Sequence, residues 1–254
     1  MSYLALTFSL IFVLIPFILS KTLNLDLGKD IFIATVRSII QLFLVGYILT
    51  FVFASDHIIY TVLMVALIIG AATQNARGKG VAIKGITWKL IVTFVFIEIL
   101  SQGILLGFRI VPPEPQYIIP LTGMVIGNAM VLSILFLNRF TAEYEARRDE
   151  IELILTLGGT PKQAVHTSLM SSIKASMIPT IESQKTLGLV QLPGMMSGQI
   201  IAGADPLQAV QFQLLVLFLL LFAATLTSIS LGFLSYPTLF NERMQMLKIA
   251  KKTK

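Results

Sequence analysis

The sequence predicts an all-α, polytopic membrane protein. Of its 254 residues, 56% are hydrophobic and 13% are charged, and the mean hydropathy is +0.85. Soluble domains carry about 25% charged residues, so this chain is too apolar for a soluble fold. A membrane-spanning helix needs about 20 mostly apolar residues. Seven stretches meet that need, at roughly 3–20, 32–53, 57–74, 88–108, 117–138, 176–203 and 208–235.

The basic residues predict the orientation of these spans. They follow the first, third, fifth and seventh spans, whereas the opposite side offers only Arg109. Because cytoplasmic loops carry the excess of lysine and arginine, we expect the N-terminus outside and the C-terminus in the cytoplasm. No basic leading segment and no small-residue cleavage site precede Lys21, so the first span is expected to be retained. The net charge of +6 then reflects topology and not nucleic-acid binding. We expect one transmembrane domain over 1–254, in the cell (inner) membrane and in contact with lipid.

Motifs for catalysis are missing from the sequence. It has no G-x-x-x-x-G-K-[ST] loop, no H-E-x-x-H motif and no cysteine, so neither a P-loop nor a thiolate metal site is available. We therefore predict that the chain is not an enzyme and binds no cofactor itself. ATP and magnesium, if used, would be bound by a separate subunit. Methionines cluster at Met124, Met130, Met195 and Met196; thioethers favour soft metals, but methionine is more often packing material. The ligands of any metal stay unknown.

The segment from 139 to 175 is expected to form a cytoplasmic helix–turn–helix between the fifth and sixth spans. Its first helix carries Glu143 and Arg147 four residues apart, a spacing that supports a solvated helix surface. A helix ends readily at glycine, and a threonine followed by proline starts a new one. The order Gly158-Gly159-Thr160-Pro161 therefore predicts a sharp turn.

The sixth predicted span is unusually polar. From Ser176 onward it is apolar enough to enter a membrane, yet it contains polar and helix-breaking residues that are costly in lipid. We expect it to face protein or a water-filled path. Glu182 and Lys185 can pair across one turn, either as part of the pathway or as a structural ion pair near the inner interface. A break or kink is expected near Pro193. The pathway candidates in this span are Glu182, Lys185, Gln191, Pro193, Gly194 and Met195.

Three further places contain polar residues inside predicted spans. Arg37 and Gln41 share a face of the second span; Arg37 could contact an anionic substrate, pair with Glu182 or reach the headgroups. Glu98 lies inside the fourth span as a pathway residue or as a protonated structural glutamate. The patterns LTGMVIGN and LPGMMSGQ suggest that Asn128 and Gln199 bond across helices or line an outer gate. Packing of small residues explains the same patterns.

The turn resembles the EAA loop by which permeases of ABC transporters dock on their ATP-binding subunit. Glu152 and Gly158 keep the spacing of that motif, although Leu153-Ile154 replaces its two alanines and Leu169-Met170 stands where Leu-Pro is expected. Four stretches are similar to the FetB (YbbM) family of bacterial iron-export permeases, which includes plant aluminium-tolerance permeases. They are LGGTPKQA, IPTIESQKTLGLVQLPGMMSGQIIAGADP, ATVRSIIQLFLVGYIL at 34–49 and GMVIGNAM at 123–130.

This resemblance implies the transmembrane subunit of an ABC exporter of iron. Two copies would pair with two ATP-binding subunits, which would dock on the 150–165 loop through Glu152, Gly158, Gly159, Thr160 and Pro161. The plant relatives imply a sugar nucleotide as another possible cargo. The residues alone leave two other classes open: an ATP-independent carrier with Glu98 or Glu182 as proton-coupling groups, and a membrane scaffold that moves no solute.

Overall fold

The computed structural model describes residues 8, 10–55, 57–78 and 83–247. The chain divides into two compact units, residues 1–60 and 61–254, and each is described by itself. The single-domain organisation stays a prediction. All regular elements of the described residues are helices, which confirms the all-α class.

The first unit contains two helices that pack on each other, α1 (Ile11–Thr22) and α2 (Gly28–Phe53). The turn between them is held by the Leu27 amide, which donates to Ser20 Oγ at 3.1 Å. Phe17 lies over Gly28, where a Cβ would be 3.5 Å from its ring. None of the most apolar window of α2 is buried, as expected of a helix whose surroundings are lipid. Residues 3–7 and 9 of the first predicted span lie outside the described residues.

The second unit carries the remaining elements. Helix α3 (Ile58–Arg77) begins at the end of the first unit and continues into the second. The centre of the second unit is formed by helices α5 (Pro115–Ala146), α7 (Pro161–Thr186) and α9 (Pro206–Ser235), where Phe136, Leu169 and Gly232 meet. A Cβ on Gly232 would be 2.8 Å from Leu169 Cδ1, so the glycine permits close helix approach. The elements are α3 (Ile58–Arg77), α4 (Ile86–Gly107), α5 (Pro115–Ala146), α6 (Arg148–Thr156), α7 (Pro161–Thr186), α8 (Gly194–Ile201), α9 (Pro206–Ser235) and a 3-10 helix (Tyr236–Leu239).

Five of the described helices are long and apolar enough to cross a membrane: α2, α3, α4, α5 and α9 with its 3-10 extension. They correspond to the second, third, fourth, fifth and seventh predicted spans. Helix α1 has only 12 described residues. The orientation and the total of seven stay predictions.

The predicted sixth span, 176–203, is wrong as a continuous helix. Helix α7 already begins at Pro161, because no breaker separates the capped start from Ser176. It ends at Thr186, and Gly188 then adopts a φ of +88°. The chain returns to helix only at α8, for which Pro193 is the extended N-cap residue. The predicted break at Pro193-Gly194 is therefore present as the end of a wider interruption.

Candidate functional site

The turn between α6 and α7 is closed by backbone hydrogen bonds. The Gly158 amide donates to Leu155 O at 3.0 Å, and the Gly159 amide donates to Ile154 O at 2.9 Å. This is a Schellman ending, which places one residue in the left-handed region. Gly158 occupies it with a φ of +88°. Gly159 is needed for space, because a Cβ there would lie 2.5 Å from Ile154 Cγ2 and 2.8 Å from Ile154 O. Both glycines are thus required by geometry.

Helix α7 starts in a capping box. The Gln163 amide donates to Thr160 Oγ1 at 3.3 Å, and the Thr160 amide donates to Gln163 Oε1 at 2.9 Å. Pro161 occupies the first helical position, where its missing N–H costs nothing. The predicted helix–turn–helix is present, with both of its ends fixed locally.

Helix α6 turns one apolar row toward solvent. Ile151 on the opposite side is buried, whereas Leu153 is 59% and Leu157 79% exposed. Glu152 lies beside this row and pairs with Arg148 at 2.9 Å. An exposed apolar row flanked by charge on a predicted cytoplasmic surface is typical of a partner contact.

The C-terminal segment lies beside the same turn, which sequence reasoning missed. Tyr144 Oη donates to Leu239 O at 2.9 Å and approaches Leu247 O at 3.3 Å. Phe240 and Met246 form an antiparallel bridge between these points. The only sequence signal is Asn241, whose side chain accepts from the amides of Arg243 and Gln245. The resulting cleft has a volume of about 560 Å³ and is lined by Glu152, Leu155, Thr156, Gly158, Gly159, Arg243, Met244, Gln245 and Met246.

Glu143 joins the C-terminal end of α5 to α7. It pairs with Arg139 at 2.6 Å and with Arg147 at 3.1 Å, which confirms the predicted i,i+4 pair. Ser171 on α7 donates to Glu143 Oε1, the oxygen that also pairs with Arg139, at 3.3 Å. Hydrogen bonds to Glu143 and then to Glu150 raise the pKa of Arg147. The ion pairs fix the Glu143 carboxylate on α5, and its hydrogen bond from Ser171 ties the first half of α7 to that helix.

Further along, α7 packs against α9. Ser176 Oγ and Ser228 Oγ are 2.9 Å apart and buried, and Gln184 Nε2 donates to Leu217 O at 3.1 Å. Pro179 lies inside the helix, where proline removes one backbone hydrogen bond and favours a kink. Helix α7 is continuous from Pro161 to Thr186 and thus connects the turn to the level of Leu217.

A cavity of about 190 Å³ lies at that level, between α5, α7 and α9; its lining is mostly apolar and includes a few polar side chains. Asn128 Nδ2 and Gln213 Oε1 are both buried there and have no hydrogen-bond partner. Asn128 lies near the middle of the predicted fifth span. Buried polar atoms without partners indicate a place where water or a solute completes the hydrogen bonds. The lining residues are Asn128, Val131, Leu132, Leu135, Pro179, Thr180, Ser183, Gln184, Leu187, Gln213, Leu217 and Leu220.

The structure brings few of the predicted pathway residues to this cavity. Asn128 lines it, but none of the hydrogen bonds formed by the described residues joins Asn128 to Gln199, and Asn128 Nδ2 is unpartnered. Residues Thr180, Ser183, Gln184 and Gln213 were missed by sequence reasoning. For the three residues on α7, the sequence signal was their spacing: positions 180, 183 and 184 are i, i+3 and i+4 and therefore share one helix face.

The other candidates lie elsewhere in their own units. Lys185 Nζ is 2.7 Å from Glu182 Oε1, which confirms the pair, but the two side chains are 63% and 59% exposed. Met195 packs against the apolar core and Gln199 is half-buried. Exposed positions are Arg37 and Gln41 in the first unit and Gln191 and Gly194 in the second. A contact of Arg37 with Glu182 stays a prediction.

Glu98 is buried where α4 meets α5. Thr122 Oγ1 and Gln102 Nε2 donate to its Oε1, and the side chain is 6% exposed. Among the described residues, no group of three or more His, Asp or Glu side chains could hold a metal ion.

These features define a multi-pass helical membrane protein with a discontinuous polar segment and an exposed turn. Comparison with known sequences then identifies the family: the uncharacterised protein family UPF0014 matches residues 3–240, and the chain belongs to it. It is 51% identical to the UPF0014 membrane protein YjkA of Bacillus subtilis (strain 168), over 97% of this chain and 98% of that protein.

Two relatives carry names that mention metals. The probable iron export permease protein FetB of Escherichia coli (strain K12) is 39% identical over 98% of this chain and 96% of its own length. The protein ALUMINUM SENSITIVE 3 of Arabidopsis thaliana is 31% identical over 94% of this chain and 87% of its own. The predicted resemblance to the FetB family is therefore confirmed. No solved structure matches the chain.

Proposed function

We propose that this chain is the transmembrane subunit of an ABC exporter and that its cargo is iron. The observation that carries the proposal is the continuity of α7, which begins at the exposed Gly158–Pro161 turn and ends at the cavity lined by Asn128, Gln184 and Gln213. The name of the FetB relative, at 39% identity over nearly the whole chain, supports iron and the outward direction. The chain would hydrolyse nothing itself, since ATP and magnesium would be bound by the partner subunit.

The docking surface would consist of the turn and the exposed row on α6. Leu153 and Leu157 offer apolar contact, and Glu152 with Arg148 offers charge. The Schellman ending and the capping box make this surface rigid, so little ordering is required when a partner binds. The neighbouring cleft at Arg243–Met246 would widen the contact beyond the EAA-like residues.

ATP-driven closure of the partner subunits would then move α7. A helix of 26 residues transmits a push along about 39 Å, at 1.5 Å per residue. Its cytoplasmic part is held by Glu143 and its middle by Ser228, so a bend at Pro179 is the least costly response. That bend changes the cavity between Asn128, Gln184 and Gln213. Rigid-body or hinge motion of this kind is how alternating access arises in transporters.

The pair Glu182–Lys185 supports assembly as a homodimer. Its two members flank Gln184 in the sequence, at the depth of the cavity, yet both side chains are more than half exposed. Charged groups at that depth face protein or water and avoid lipid. A second copy of the chain would cover this face and leave a polar path between the two, with the pair and Gln191 along it. Two ATP-binding subunits would complete a two-plus-two complex.

The first experiment is co-purification of the chain with the ATPase encoded beside it, followed by hydrolysis assays in lipid with ferrous iron, manganese and a sugar nucleotide. Complex formation and hydrolysis stimulated by iron are expected. If only the sugar nucleotide stimulates hydrolysis, the cargo is a sugar nucleotide in place of iron, and the assignment to the ABC transporters stands. Purification without any ATPase, together with ATP-independent flux, would favour the carrier; no flux under any condition would favour the scaffold.

A further inference from the structure

The carboxylate of Glu98 lies within α4, one of the membrane-spanning helices, and has no charged partner among the described residues. It takes part in none of the ion pairs found there. Its Oε1 accepts from two neutral groups, Thr122 and Gln102, while its Oε2 is buried and has no partner. Burial of an ionised carboxylate without a partner costs several kcal/mol, because the group loses its hydration. Another group or ion must therefore offset the charge of Glu98 when it is ionised.

Three other side-chain oxygen atoms on the same helix share this condition: Thr93 Oγ1, five residues before Glu98, and two atoms that follow Glu98 within about one turn. Ser101 Oγ and Gln102 Oε1 are also buried without a hydrogen-bond partner. Positions 98, 101 and 102 follow the i, i+3, i+4 spacing and therefore lie on one face of α4. Thr122 on α5 closes the group from the other side, 3.0 Å from Gln102 Nε2. Thr122 and Ser101 are fully buried, so bulk water does not satisfy these atoms.

The chemistry of these atoms selects the ligand. Carboxylate, hydroxyl and amide oxygens are hard donors, which suit magnesium, manganese and similar cations. A single carboxylate among neutral oxygens binds more weakly than the several carboxylates of a dedicated protein site. Weak binding is what a site on a transport route needs, because the ion must also leave.

We propose that Glu98, Ser101, Gln102 and Thr122 form a cation-binding station between α4 and α5 that accepts a hard divalent cation. Glu98 supplies the charge, Ser101 and Gln102 supply the unpartnered oxygens, and Thr122 orients the carboxylate through its hydrogen bond. The inference deepens the proposed function, because it assigns the cargo to this class of ion. It also rests on that function for the purpose of the station, although binding itself is measurable on the chain alone.

The test is a titration of the full chain in lipid nanodiscs with Mn²⁺ as the probe, with free Mn²⁺ measured by electron paramagnetic resonance. Glu98→Gln keeps the size and hydrogen bonds of the side chain and removes its charge. We expect its Mn²⁺ affinity to fall by at least about tenfold, because loss of even an outer-shell partner costs that much. Glu98→Asp keeps the charge and should retain part of the binding. The Mn²⁺ affinity of Thr122→Val should lie between those of Glu98→Gln and Glu98→Asp.

The matched control is Glu114→Gln, which removes an exposed carboxylate at the start of α5 and should leave Mn²⁺ binding unchanged. Gel filtration and thermal unfolding verify that each variant is folded, and capture of the ATPase subunit is measured separately. Equal binding by wild type and Glu98→Gln, or no binding by wild type, overturns the station. If either result appears while iron-stimulated hydrolysis persists, the proposed function still stands. Binding that depends on Glu98 without any captured ATPase supports the station and counts against the ABC assignment.

Discussion

The two ends of α7 differ in how they are held. The first end is fixed by its own neighbours in sequence: Thr160 and Gln163 cap each other, and the preceding glycines close the turn. The last end, at Thr186, accepts local hydrogen bonds from the amides of Val190 and Gln191, but its contact with α9 is long-range, through Gln184 and the Leu217 carbonyl. It borders unpartnered polar atoms and a cavity.

This difference indicates which end can move. Local hydrogen bonds keep a docking surface in one shape whatever the rest of the molecule does. Unsatisfied polar atoms and a proline-interrupted helix are typical of elements with more than one arrangement. Under the proposed function, α7 would transmit force from a rigid end at Thr160, where the partner docks, to an adaptable end near Gln184.

The largest effect is expected at the rigid end, from Gly159→Ala. The new Cβ would lie 2.8 Å from the Ile154 carbonyl oxygen, a backbone atom that cannot turn aside. Overpacking of this kind costs about 1–3 kcal/mol. We expect the ATPase captured per permease to fall about tenfold in pull-down from lipid. Gly70→Ala, where no atom lies within 4 Å, is the matched control, and normal capture by Gly159→Ala would show that the turn is not the docking site.

An intermediate effect is expected at the adaptable end, from Gln213→Leu. Gln213 lines the cavity, whereas Gln211, two residues earlier on α9, is exposed. The same change at both positions therefore separates the cavity from general polarity. Transport by Gln213→Leu should fall several-fold while the ATPase is captured normally, and Gln211→Leu should behave as wild type. Equal transport by both variants in a vesicle flux assay would remove the cavity from the pathway.

A smaller effect is expected from the exposed pair Glu182–Lys185, which lies at the same end of α7 as Gln184 but does not line the cavity. In Glu182→Gln, Lys185 loses the carboxylate that lies 2.7 Å from its Nζ. Because both groups are more than half exposed, the folded chain should keep its stability while transport falls about twofold to threefold. The double variant Glu182→Lys with Lys185→Glu restores the ion pair but moves the carboxylate to position 185. Flux should therefore recover only if the role of the pair is mutual neutralisation of its two charges. Full flux in Glu182→Gln would assign the pair to a lipid-headgroup contact.

The rigid end was predictable from the sequence, since Gly158, Thr160 and Pro161 act through local rules that hold in any context. The apolar helices were predictable for the same reason. The cavity was not, because Asn128, Gln184 and Gln213 come from three helices and only their packing shows that they meet. Glu182 and Lys185 were predicted from the sequence as pathway residues, yet the helical phase of α7 places them outside the cavity. The contribution of the C-terminal segment depends on Tyr144, a contact across 95 residues.

The smallest effect is expected from Gln163→Ala, which tests whether the rigid end is held locally. The variant removes the acceptor for the Thr160 amide, at 2.9 Å, and leaves the Thr160 hydroxyl in place. Half of a capping box is then lost, worth about 0.5–1 kcal/mol. Thermal unfolding in detergent should shift down slightly, and ATPase capture should weaken about twofold. Gln163→Glu preserves the box and should behave as wild type. If Gln163→Ala lowers capture as strongly as Gly159→Ala, the start of α7 depends on Gln163 for partner contact as well as for helix capping.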